Sequence, residues 1–72
     1  MLGLVIKYQK KKNHKPYGFI SGYDGEKYFF SGKTLKTEVH EGDEVRFKDC
    51  INERGFFARD VQLLEREDNG DI

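Results

Sequence analysis

Seventy-two residues suffice for one small domain and are too few for two hydrophobic cores. The single cysteine rules out an internal disulfide and every multi-cysteine zinc pattern, and fits a reducing compartment. Thirteen cations balance thirteen anions, but unevenly: residues 1–36 hold eight lysines against two acids, a net of +6, and residues 37–72 hold five cations against eleven acids, a net of −6.

In chain order, Leu2–Gln9 is apolar and β-branched enough for a strand, with Leu2, Leu4, Ile6 and Tyr8 in alternation. Lys7 interrupts the apolar start too early for a signal peptide or a membrane span, so the chain reads as soluble and cytoplasmic, with no membrane partner. Residues 10–16 form a basic loop ending in Pro16. Tyr17–Gly22 and Lys27–Ser31 are the second and third strands, and the link between them carries two glycines and an aspartate, as a hairpin turn requires. A strand sends alternate side chains to one face. Tyr17 and Phe19 therefore share a face, as do Tyr28 and Phe30, and the expectation is that these four rings point outwards together while Ile20 and Phe29 point into the core. Residues 32–42 are a polar connection from which Leu35 and Val39 can tuck inward. Residues 43–50 alternate, with Val45 and Phe47 on one face, and form a fourth strand. After a turn at 51–55, residues 56–64 form the fifth, in which one of Phe56 and Phe57 points in and the other out.

Five short strands with regular turn signals and no amphipathic helix imply an all-β fold. Closure removes the exposed edges and encloses a core, so the expected architecture is a small closed five-stranded antiparallel barrel of the oligonucleotide/oligosaccharide-binding (OB) type. The barrel domain is expected over residues 1–64, with an acidic, disordered tail at 65–72.

These residues carry a resemblance. Lys15-Pro16-Tyr17-Gly18-Phe19-Ile20 is similar to the Lys-Gly-aromatic-Gly-Phe-Ile motif of cold-shock domains, and Lys27-Tyr28-Phe29-Phe30-Ser31 to their Val-Phe-Val/Phe-His-Phe motif. Gly3-Leu4-Val5-Ile6-Lys7-Tyr8 resembles the family's opening Gly-x-Val-Lys-Trp-Phe, Glu41-Gly42-Asp43-Glu44-Val45-Arg46-Phe47 its Glu-Gly-x-x-Val-x-Phe, and Ala58-Arg59-Asp60-Val61 its Ala-x-x-Val. Together they span residues 3 to about 63. The resemblance implies a barrel that binds single-stranded RNA or DNA and acts as an RNA chaperone. The chain departs from the family pattern in four places. Lys7 replaces a stacking tryptophan, Pro16 replaces a glycine, the basic loop is longer, and the third-strand histidine and the aromatic after it fall on Phe30 and Ser31.

The expected interface is then Tyr17, Phe19, Tyr28 and Phe30 as stacking rings, with Tyr8 either at their rim or in the barrel. Lys7, Lys10, Lys11, Lys12 and Lys15 would contact phosphates. His14 either joins them or is a free surface histidine. Two lone histidines at this spacing make no metal site, and no cofactor is expected. No phosphate-binding glycine loop, nucleophile elbow or paired acid and base is present, so the chain is not expected to be an enzyme. The alternative is a protein-interaction barrel that has kept the fold and lost nucleic-acid binding, with a peptide or subunit as its partner.

Overall fold

The computed structural model describes residues 1–64; the tail expected at 65–72 lies outside them. The strands are β1 (Leu2–Gln9), β2 (Tyr17–Gly22), β3 (Lys27–Ser31), β4 (Glu44–Asn52) and β5 (Gly55–Leu63), with one 3-10 turn, Gly32–Thr34, after β3. They close into a barrel in the order β1-β2-β3-β5-β4, the expected all-β barrel of the OB type. Every pairing is antiparallel except β3 with β5, which run parallel. Long β1 closes the barrel by pairing with β2 along Gly3–Gln9 and with β4 along its first residues.

Two bulges decide which side chains enter the core. In β1, Val5 faces Ile20 and Lys7 already faces Phe19, so Ile6 is the extra residue. The bulge breaks the alternation Leu2, Leu4, Ile6, Tyr8: Val5 is buried, Leu4 and Ile6 are exposed, and Tyr8, three residues after Val5, packs against the core. In β5, Arg46 faces Gln62 and Lys48 faces Arg59, which leaves Asp60 and Val61 opposite one residue of β4. Asp60 takes a left-handed φ of 52° there. That single extra residue turns Ala58 and Val61 to the same side, and both are buried. The remaining core is Ile20, Tyr28, Phe30, Val39, Val45 and Phe47, with Leu35 packed against it. Leu35 and Val39 tuck inward from the polar connection as expected.

Tyr28 and Phe30 correct the expected interface. Both lie in the core, Phe30 fully buried, while Phe29 stands outside at 42% exposure. The β2–β3 turn is the cause. The Gly25 N–H donates to the Gly22 carbonyl (3.0 Å) and the Gly22 N–H to the Glu26 carbonyl (2.8 Å), which makes Tyr23, Asp24 and Gly25 a three-residue loop, with Gly25 at φ +91°. An odd loop pairs odd positions with odd: Tyr17 faces Ser31, Phe19 faces Phe29 and Ser21 faces Lys27. Only an even loop would set Tyr17 and Phe19 beside Tyr28 and Phe30. Gly18 reinforces this packing, because a methyl group there would collide with the Lys7 carbonyl and come within 2.7 Å of the Phe30 ring.

Candidate nucleic-acid interface

The outer surface of the barrel carries a row that crosses four strands, one residue from each. Lys7 of β1 faces Phe19 of β2, Phe19 faces Phe29 of β3, and Phe29 faces Phe57 of β5. A second row lies beside it, where Gln9 faces Tyr17 and Tyr17 faces Ser31. Cross-strand partners share a face, so the side chains of these rows stand together. Tyr17, Phe19 and Phe29 form a cluster of rings. Tyr17 and Phe29 are stacked, with centroids 6.1 Å apart and planes 25° apart, and Phe19 meets both edge-on at 6.3 and 5.8 Å. None of the residues on the two rows is acidic.

Cations surround the rings. Lys27 holds its Nζ 4.5 Å from the centroid of Phe19, close enough for a cation–π contact, and Lys7 stands on the other side of the same ring. Lys11, His14 and Lys15 line a small hollow of ≈ 150 Å³ together with Gln9 and Tyr17. Tyr17 is also a wall of the next hollow, with Lys15, Pro16, Phe29 and Ser31. Phe29 in turn begins a third, an open cleft of ≈ 360 Å³ against the β4–β5 hairpin. Shared walls make the three hollows one track, running from the basic loop across the rings to that hairpin.

The expected site residues therefore divide. Lys11, His14, Lys15 and Tyr17 line the track, and Lys7 and Phe19 stand on the row beside it. Lys12 is exposed in the same loop but lines none of its hollows. Lys10 turns the other way, with Nζ 5.4 Å from the Tyr8 ring centroid and 3.3 Å from Glu38 Oε2. Tyr8 takes the barrel side of its two expected places, 5.5 Å from the Phe30 ring. Tyr28 and Phe30 leave the interface for the core. Ser31 caps the 3-10 turn, its Oγ accepting from the Lys33 N–H.

Sequence reasoning missed Phe29, Lys27, Phe57 and Arg54. Asp24-Gly25 alone reads as a two-residue, even loop; it is the three-residue loop closed between Gly22 and Glu26 that sets Phe29 and Lys27 outward, and no local signal announces it. Phe57 shares the outer face of Phe29 through its cross-strand pairing and is half-buried; Phe56, 40% exposed, packs 5.4 Å from the Tyr28 ring and also lines the cleft. The assignment of Phe57 needed the parallel pairing with β3, which no local pattern announces.

Among the described residues, no three His, Cys, Asp or Glu side chains could together hold a metal ion, and no helix is long and apolar enough to cross a membrane. No protein-family model matches the chain, and no curated protein is significantly similar to it.

Proposed function

We propose that this barrel binds single-stranded nucleic acid, RNA or DNA, by stacking unpaired bases on Tyr17, Phe19, Phe29 and Phe57 while Lys7, Lys11, Lys15 and Lys27 hold the backbone. The observation that carries the reading is the acid-free row Lys7-Phe19-Phe29-Phe57. Each base has an apolar face that an exposed ring can cover, and each phosphate favours a nearby ammonium. Contiguous outward rings on a soluble barrel are otherwise a liability. Binding of this kind tolerates most sequences and keeps a strand unpaired by mass action, which is the RNA-chaperone role that the cold-shock resemblance implies.

Titration of tyrosine fluorescence with an oligo-uridine strand at several salt concentrations tests the reading. The expected result is quenching that weakens steadily as salt rises and that is largely lost in Phe29→Ala. No quenching at low salt and micromolar protein overturns it and leaves the protein-interaction barrel.

A further inference from the structure

The cleft at the far end of the track is built differently from the rest of it. Its floor is apolar, made by Phe29, Phe56 and Phe57, and Asn52 and Arg54 stand over it from the β4–β5 turn. Its ≈ 360 Å³ lies at the low end of the roughly 300–1,000 Å³ typical of small-ligand sites, room for one ring system. The polar side chains that line it offer donors. Arg54 presents a guanidinium that makes no ion pair among the described residues. Asn52 Oδ1 already accepts the Arg54 backbone N–H at 2.9 Å, so its free end is the amide NH2. No carboxylate lines the cleft.

Donor side chains above an aromatic floor select among bases. Guanine offers two adjacent acceptors, O6 and N7, on one edge, and a guanidinium matches them with two parallel hydrogen bonds. Adenine places an NH2 donor beside its N7, which a guanidinium opposes. Uracil and thymine never set two acceptors side by side, because N3–H separates their carbonyls. Cytosine presents O2 and N3 but offers the floor only a single ring. Resting on the nucleic-acid reading above, we propose that this cleft is a guanine subsite at the end of the track, with the base lying on Phe29 and Phe57 and its O6/N7 edge held by Arg54 and Asn52. The protein is then a single-strand binder that tolerates most sequences along the rings and prefers guanine at one position.

The test uses the whole chain and four oligo-uridine strands: all-uridine, and strands in which one central residue is guanine, adenine or 7-deazaguanine. The expected result is about tenfold tighter binding of the guanine strand than of the adenine or all-uridine strands. Replacing N7 by carbon removes most of that gain while leaving the stacking area unchanged. In Arg54→Gln the guanine strand binds no more tightly than the adenine strand, whatever the change in affinity for all-uridine. Equal binding of the guanine, adenine and 7-deazaguanine strands by a protein that does bind all-uridine overturns the subsite and leaves the stacking row standing. A guanine preference undiminished in Arg54→Gln also overturns it. Failure to bind any strand overturns the nucleic-acid reading, and the subsite with it.

Discussion

Tyr28 and Phe30 point into the barrel, and Tyr17, Phe19 and Phe29 point out of it, although all five rings belong to one hairpin. The inner two are almost inaccessible to solvent, whereas Phe29 is 42% exposed. Residue type does not separate the two sets, since tyrosine and phenylalanine occur in both. Position does: one step along β3 moves a ring from the core to the surface, and the turn length fixes which ring goes where. The inner rings hold the barrel closed, and the outer rings are free to meet a ligand.

Exchanging a ring for alanine on each face separates these roles. Phe30→Ala empties a fully buried site and is expected to cost about 3–5 kcal/mol of unfolding free energy. Small domains hold only about 5–15 kcal/mol in total, so the loss shows as a much lower urea midpoint or as failure to fold. Phe29→Ala removes a surface ring and is expected to cost about 1 kcal/mol or less in the same denaturation. Its effect falls on binding, where loss of one stacking ring costs about 1–3 kcal/mol, roughly five- to 150-fold in Kd for oligo-uridine. Equal stability losses in the two variants would contradict the division between faces.

The basic loop allows the same comparison between neighbouring lysines. Lys11 and Lys15 line the track, and Lys10 faces Glu38 and Tyr8 instead. Each phosphate contact on a single strand contributes about 0.7 to the slope of log affinity against log salt. Replacing Lys11 and Lys15 together by alanine is expected to flatten that slope by about 1.4. Replacing Lys10 and Lys12 together leaves it nearly unchanged. Identical slopes from the two double variants would mean that the loop acts as undifferentiated charge.

Strand number, order of elements and barrel closure were legible in the sequence, because each strand has its own apolar alternation and its own turn residues. The placement of Lys7, Lys11 and Lys15 beside the rings was legible too, since it needed only the order of the strands. Facing was harder to read. Tyr28 and Phe30 fit a surface pattern as well as a core pattern, and the parity of β3 relative to β2 depends on whether Tyr23, Asp24 and Gly25 make an odd or an even loop. The bulges at Ile6 and Asp60 hid the facing of Tyr8 and Val61 in the same way. Phe57 and the Arg54 cleft required the pairing of β5 with β3, a contact between segments more than twenty residues apart.

The smallest expected effect concerns the contact that joins the two faces. The Tyr28 ring is buried, but its hydroxyl donates to Asp24 Oδ2 at 2.6 Å, while Asp24 Oδ1 accepts the Glu26 N–H at 3.0 Å. The hydroxyl of this inner ring thus ties down the turn that sets the outer row. A slip of one residue in that turn would send every side chain of β3 to the opposite face. The hydrogen bond to Asp24, followed by burial, pushes the Tyr28 hydroxyl up from 10.0 to about 12, and the same bond holds the Asp24 carboxyl below its ordinary 3.8. A raised folded-state value means that the stabilisation is complete below pH 10 and is lost as pH rises through about 12. The lowered carboxylate has the opposite sign: its contribution is present above 3.8 and is lost as pH falls below it. Tyr28→Phe lacks the hydroxyl. The gap in urea midpoint between wild type and Tyr28→Phe is therefore expected to be widest across the neutral range and to narrow at both extremes. A gap that stays constant from acid to alkaline pH would show that the hydroxyl does not hold the turn, and that the parity of the outer row rests on Gly25 and the packing of Gly18 against Phe30.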